Sequence, residues 1–259
     1  MTTIKSAKLN FLVNSFPRGA ILASEFLKKQ GYSVWLLDWY KKGGWLEAVG
    51  RGAYRFRGAK VEWTGAIYTL QSQLQIPVHV GARTALELQG YGHYLSGGLR
   101  RIFLFGLPGV RLPKWFTDHD WGEKVEYVTT KMLPISAENS FSLHEEKGYT
   151  IRLSSPERAI MEVFYLVPEK QGFDEALHLM EGLTTLRPAL IQSLLEGCTS
   201  VKIKRLFLYL AERAGNSWMR DLDLSRINLG RGKRVIEKGG KFVAKYGITV
   251  PANIVEEPV

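Results

Sequence analysis

Only one cysteine, Cys198, occurs among the 259 residues. A lone thiol can neither close an internal disulfide nor supply a zinc ribbon. Cys198 lies near the end of an amphipathic pattern and is expected to be a small buried apolar residue. Histidine is also scarce, at five, and no two stand at i, i+4, the spacing that lets a helix chelate zinc. No apolar run approaches the roughly 18 residues that a membrane helix requires. The amino-terminal stretch M-T-T-I-K-S-A-K-L-N-F-L-V-N-S-F has three consecutive apolar residues before Asn14 and reads as neither signal peptide nor span. No membrane partner is expected, and a reducing cytoplasm is. Acid is in deficit, with 25 Asp and Glu against 35 Lys and Arg, a formal charge of +10 and a pI near 9.6. That imbalance says nothing of fold, but it points to a polyanionic partner.

Hydrophobic residues at 45% and charged residues at 23% are those of a globular protein, long enough for one large domain or two ordinary ones. The most informative stretch is Ser24 to Phe56. Ser24 is placed to cap a short helix ending at Gly31, and Ser33 to cap a second helix running through Tyr40, Lys41 and Lys42 to Gly43-Gly44. Trp45 to Val49 reads as a strand, Gly50-Arg51-Gly52 as a turn and Ala53 to Phe56 as a second strand. Ahead of them, Ile4 to Phe16 reads as a helix with Ile4, Ala7, Phe11 and Leu12 on its apolar stripe, and Ile21-Leu22-Ala23 as a small strand. The order helix, strand, helix, helix, strand, strand is that of a winged helix.

Within this unit the second helix is expected to turn Val34, Leu37 and Tyr40 inward. Trp35, Asp38, Trp39 and Lys42 share the other face, which would enter a major groove. Ser33, Lys41, Arg51 at the wing tip and Arg55 complete the candidate DNA-binding set. Between Lys28 and Lys60, five lysines and three arginines face two acids, for a net +6. Phosphate contacts from such residues supply most non-specific DNA affinity. Two tryptophans on a groove-facing surface are unusual, because Arg, Asn and Gln read bases better. They suit thymine methyl groups or sugars; the other reading packs one of them against the first helix.

The rest of the chain is α+β in texture. Helices are expected at Glu62 to Gln75, Arg83 to Gln89, Ser155 to Leu166, Phe173 to Leu183, Pro188 to Glu196 and Val201 to Ala214. Strands are expected at Val78 to Val80, Arg101 to Phe105, Lys124 to Thr130 and Tyr149 to Leu153. The helix after Ser155 is the best signalled, with Ser at the cap, Pro156 at the first helical position and Glu157 in the first turn. Lys233 to Val243 reads as a hairpin around Gly239-Gly240. The fold class is therefore a winged helix-turn-helix over residues 1–60, followed by a larger mixed α/β domain over residues 61–259.

Four blocks carry a resemblance: G-W-L-E-A-V-G-R-G-A-Y; V-H-V-G-A-R-T-A-L-E-L-Q-G-Y (Val78 to Tyr91); S-S-P-E-R-A-I-M-E (Ser154 to Glu162); and G-K-R-V-I-E-K-G-G-K-F-V-A-K-Y-G-I-T-V-P (Gly232 to Pro251). Together, in order and over nearly the whole chain, they make it similar to the AbiEi-type antitoxins, transcriptional regulators of type IV toxin–antitoxin systems in phage defence. The resemblance implies a winged helix that binds inverted repeats in its own promoter and represses the operon. It also implies a C-terminal domain that counteracts a nucleotidyltransferase-like toxin without a lasting complex, and a location with the nucleoid. Family units divide nearer residue 95 than residue 60.

A second basic segment stands apart from the first. Arg226 to Tyr246 holds seven basic residues and one acid, Glu237, for a net +6. On the expected hairpin, Arg234, Ile236 and Lys238 alternate with Lys233, Val235 and Glu237. Lys233, Arg234, Lys238 and Lys241 form a candidate patch for an acidic partner, either the toxin or its nucleic-acid substrate. The plainer reading is a strand edge guarded by lysines. No catalytic residue, cofactor or metal is expected. Asp118-His119-Asp120 does not converge on one side of a regular element, and Asp118 or Asp120 with Glu145-Glu146-Lys147 only faintly matches a nuclease D…ExK pattern. The lone Gly50-Arg51-Gly52 and Gly230-Arg231-Gly232 are turns, not phosphate loops. A regulator with a ligand-sensing C-terminal domain and a nuclease targeted by a winged helix are the alternatives.

Overall fold

A computed structural model describes residues 2–91, 101–134, 137–146 and 148–256. It divides into two compact units, Met1–His79 with Leu99–Thr129 and Leu143–Arg152, and Val80–Gly98 with Thr130–Ser142 and Leu153–Val259. The whole is mixed α+β.

The first unit opens with α1 (Thr2–Ser15), β1 (Leu22–Ala23), α2 (Ser24–Lys29), α3 (Val34–Lys42), β2 (Leu46–Gly50) and β3 (Ala53–Phe56). This is the expected order. β1, β3 and β2 lie side by side in that sequence, both pairings antiparallel. Leu9 and Leu12 of α1, Leu27 of α2, Leu36, Leu37 and Tyr40 of α3, and Leu46 and Phe56 of the hairpin form one buried cluster. Two stripes are set differently from expectation. On α1, Ala7 and Phe11 face solvent, because Leu9, Leu12, Val13 and Phe16 make the wider helical stripe against the cluster. On α3, Val34 is exposed and Leu36 takes the inward place with Leu37 and Tyr40. Ser24 does not cap α2; it is the first helical residue, and its N–H donates to Gly52 O at 2.8 Å, fastening the helix start to the hairpin turn. Gly52 has φ +80°, a backbone state that glycine alone adopts freely.

The expected helix after Glu62 is α4 (Trp63–Tyr68), continued by a π-helical turn over Thr69–Gln73. The widened turn brings Thr69 and Gln73 together beside β1. Thr69 Oγ1 and Gln73 Nε2 both donate to Ile21 O at 2.7 Å, and Ala23 N–H donates to Gln73 Oε1 at 2.9 Å. β4 (Val78–Val80) follows, then α5 (Ala82–Leu88), β5 (Arg101–Gly106), α6 (Lys114–Thr117), β6 (Lys124–Thr129), β7 (Phe141–Glu146) and β8 (Tyr149–Ser154). The strands form a sheet in the order β6-β5-β4-β8-β7, with β5–β6 and β4–β8 parallel. β5 is buried from Ile102 through Gly106, as a central parallel strand requires.

The second unit is mainly helical: α5, α7 (Pro156–Leu166), α8 (Phe173–Glu181), α9 (Pro188–Gly197) and α10 (Val201–Arg213). Phe164 of α7 meets Phe207 of α10 edge-on at 6.0 Å, and Phe207 meets Trp218 at 5.8 Å. A buried polar knot holds α5, β8 and α7. Glu162 accepts from Ala82 N–H at 3.0 Å, Ser154 Oγ at 2.8 Å and Arg158 Nε at 3.0 Å. Glu157 pairs with Arg187 at 2.8 Å. The chain then forms β9 (Arg234–Val235), β10 (Lys241–Val243), β11 (Ile248–Val250) and α11 (Ala252–Glu256).

The expected hairpin around Gly239-Gly240 is not formed. β11 lies in the middle, antiparallel to β10 and parallel to β9. Gly240 crosses close to β11, where a Cβ would stand 2.1 Å from Val250 O. Gly240 therefore serves a close approach to the third strand, while Gly239, at φ +77° in open space, lies in the turn before it; the first two strands do not pair with each other.

Candidate nucleic-acid interface

α3 owes its start to Ser33, whose hydroxyl accepts from Leu36 N–H at 3.2 Å. Ser33 is thus engaged as a cap. With Leu36, Leu37 and Tyr40 turned inward, the opposite face is fixed: Trp35 is 61% exposed, Trp39 is 38% exposed, and Val34 and Lys42 lie with them. Neither tryptophan is buried against α1. Trp39 meets the buried Tyr40 ring edge-on at 5.5 Å, and burial, with Tyr32 adding to it, pushes the Tyr40 phenol up to about 12. Tyr40 is therefore a neutral core residue.

Asp38 holds both lysines of the last turn, at 2.9 Å from Lys41 Nζ and 3.2 Å from Lys42 Nζ. The hydrogen bonds from Lys41 and then Lys42 hold its carboxyl below the usual range, and Asp38 in turn raises the Lys41 ammonium. Across the hairpin Glu47 and Arg55 stand directly opposite and pair at 2.9 Å. Arg51 lies exposed in the turn beside Gly52. The structure thus gathers Trp35, Asp38, Trp39, Lys41 and Lys42 on one helix face, places Arg51 at the hairpin tip, and ties Arg55 to an acid. Sequence reasoning missed Trp45, which is half exposed beside the end of α3, and Arg57, which packs over Gly44. The repeated glycines at 43 and 44 were the available signal for both.

In the C-terminal segment the register sets the faces. Phe242 and Val235 both pair with Thr249, so the three form one row across the sheet. Arg234 pairs with Ile248 and Lys241 with Val250, the rows of the buried face, and Ile236 is buried too. The expected basic face carrying Arg234, Ile236 and Lys238 is therefore partly a core face. Lys233 Nζ lies 4.8 Å from the Phe242 ring centre, while Lys238 and Lys241 are exposed.

No group of three or more His, Cys, Asp or Glu able to hold a metal occurs among the described residues. Glu145 and Glu146 end β7, whereas Lys147 of the ExK pattern lies outside the described residues. Cys198 is buried, and burial pushes its thiol up. No helix among the described residues is long and apolar enough to cross a membrane.

Two family models match in tandem. One, described as the N-terminal domain of the AbiEi antitoxin transcriptional regulator, matches residues 5–97; the other, described as a transcriptional regulator, AbiEi antitoxin, type IV TA system, matches residues 100–251. The chain belongs to the AbiEi antitoxin family. The resemblance carried by the four sequence blocks is thereby shown, and with it the role of AbiEi proteins as transcriptional regulators and antitoxins. A comparison with curated proteins returned no match. Among solved structures, the crystal structure of the RV2827C protein from Mycobacterium tuberculosis is similar at a TM-score of 0.61 and 14% identity. The alignment covers 95% of this AbiEi chain and 90% of that one, and shows a shared fold.

Proposed function

We propose that this AbiEi-family chain is an autorepressor and antitoxin in which residues 1–60 form a winged helix that binds inverted repeats in its own promoter. Residues 61–259 then counteract a nucleotidyltransferase-like toxin without a lasting complex. The observation that carries the DNA-binding reading is the outer face of α3. It leaves Trp35, Trp39, Lys41 and Lys42 accessible while Leu36, Leu37 and Tyr40 anchor the helix, and Arg51 projects from the hairpin that follows. In that arrangement α3 enters the major groove, its tryptophans touch thymine methyl groups or sugars, and the wing reaches the backbone. The connectivity β1-β3-β2 with three helices supports the winged-helix assignment.

Binding to the chain's own promoter, followed by fluorescence anisotropy over a range of salt, tests the reading. The Lys41, Lys42, Arg51, Arg55 quadruple alanine variant is expected to bind weakly and to flatten the dependence on log salt. Unchanged affinity in the folded variant refutes it. Co-expression with the neighbouring gene, scored for rescue of growth, tests the antitoxin half.

A further inference from the structure

The small sheet β9–β11–β10 presents an outer face whose chemistry differs from that of a guarded edge. Both edge strands are already blunt, at two and three residues, so lysines are hardly needed to stop strand pairing. A guarded edge would also hide apolar side chains. Here Val235 is 63% exposed and Phe242 43% exposed, in one row with Thr249, and Lys233 lies over the Phe242 ring.

Beside this row opens a cleft of about 260 Å³ lined by Arg205, Gly232, Lys233, Lys245 and Tyr246. Arg205 is only 6% exposed. Its guanidinium donates to Leu229 O at 2.8 Å, Gly232 O at 2.6 Å, Gly247 O at 3.1 Å and Gly230 O at 3.2 Å. Every one of these acceptors is a neutral carbonyl, so the arginine charge is hydrogen-bonded without being cancelled. Four of its five N–H groups are engaged, and the fifth is on Nη2. Lys245 and Tyr246 both bind Glu212.

We propose that this face binds single-stranded nucleic acid, RNA in the first instance, by stacking a base on Phe242 and holding the adjoining phosphate at the Arg205–Lys233 cleft. An exposed aromatic on a sheet surface, flanked by cations, accepts any unpaired base, whereas a duplex keeps its base faces stacked away. The surrounding net charge of +6 over Arg226 to Tyr246 supplies the backbone attraction. An acidic protein surface would be served by the lysines alone and leaves the exposed Phe242 and Val235 without a role.

The test is anisotropy of a labelled 12-nucleotide mixed-sequence RNA against the full chain at low salt. Phe242→Ala is expected to weaken binding about five- to a hundredfold, whereas Phe242→Tyr, which keeps the ring, stays near wild type. Lys233→Glu should lower the slope of log K against log salt by about 0.7 for each phosphate that is no longer neutralised. Arg51→Ala, on the proposed wing, is expected to leave this RNA binding unchanged while weakening promoter binding, so the two sites fail or stand separately. Absence of RNA binding by the wild type overturns the proposal. So does equal loss in Phe242→Ala and Phe242→Tyr, and so does a Lys233→Glu variant that loses toxin protection while RNA binding is unaltered, the outcome an acidic protein partner gives.

Discussion

Asp38 sits in the middle of the proposed DNA-facing surface and occupies both of its lysines. Replacing it by Asn preserves its size and removes the anion that holds Lys41 and Lys42 at 2.9 and 3.2 Å. Because the carboxyl is already held below the usual range, no pH at which DNA binding is ordinarily measured releases those lysines; the substitution does. One phosphate contact adds about 0.9 to the slope of log K against log salt, which between 1 M and 0.1 M is about eightfold in affinity. Release of one lysine therefore predicts a slope steeper by about 0.9, and release of both about 1.8, with a ceiling near sixtyfold tighter binding at 0.1 M salt. The assay is anisotropy on the promoter duplex over a tenfold range of salt, with helix content checked by circular dichroism. Unchanged binding refutes the reasoning, since Asp38 then does not withhold the lysines from phosphate. Weaker binding refutes it differently, by making Asp38 itself a base contact, such as an acceptor for a cytosine amine.

Three further outcomes concern the second unit. Glu162→Ala strands the buried Arg158 charge and removes an acceptor from Ala82 and Ser154, so urea unfolding should show a loss of about 3–5 kcal/mol; a loss below about 1 would contradict the knot described. For Glu157, burial alone would raise the carboxyl, but hydrogen bonds from the Arg187 side chain and backbone outweigh it and hold the group low. Its contribution is thus present above the unfolded-state carboxylate value and is lost as pH falls through the lower folded value; Arg187→Gln should move the acid-unfolding midpoint upward, and an unmoved midpoint would deny the pair that role. Gly240→Ala, whose Cβ would meet Val250 O, should cost about 1–3 kcal/mol in thermal unfolding, whereas Gly239→Ala, at φ +77° in open space, should cost only the left-handed penalty of about 1–2. Equal losses measured with the same backbone shift would remove the distinction.

Helices were legible where a cap and a stripe agreed. Ser33 with Leu37 and Tyr40 marks α3, where the cap hydrogen bond and the buried stripe agree, and Pro156 with Glu157 in the first turn marks α7, although Ser155 makes no side-chain cap hydrogen bond there. Where several apolar residues competed for a stripe, as with Val34 against Leu36, the tertiary partner decided, and no local rule contains it. β7 reads F-S-L-H-E-E and lies at the sheet edge, so none of its residues is buried and its pattern is diluted. The C-terminal sheet was misread for a different reason. Gly239-Gly240 carries the local signature of a hairpin, while β9 actually pairs with residues fourteen positions further on. Of the candidate site, the exposed face of α3 and the tip at Arg51 follow from spacing; the capture of Lys41, Lys42 and Arg55 by acids does not, because it depends on side-chain geometry.

The central place of β11 bears on how the chain is made. β9 and β10 both pair with β11 and not with each other, and Arg205 fastens carbonyls on both sides of them, up to Gly247. During synthesis the helix carrying Arg205 emerges well before its acceptors, and the two outer strands emerge before the one that joins them. None of this sheet can assemble until residue 250 has left the ribosome. A chain stopped after α10 but before β11 contains the whole sequence of α3 and has no central strand to align Val235 and Phe242 in one row. If the proposed roles hold, prematurely terminated products would occupy the promoter without carrying the second surface.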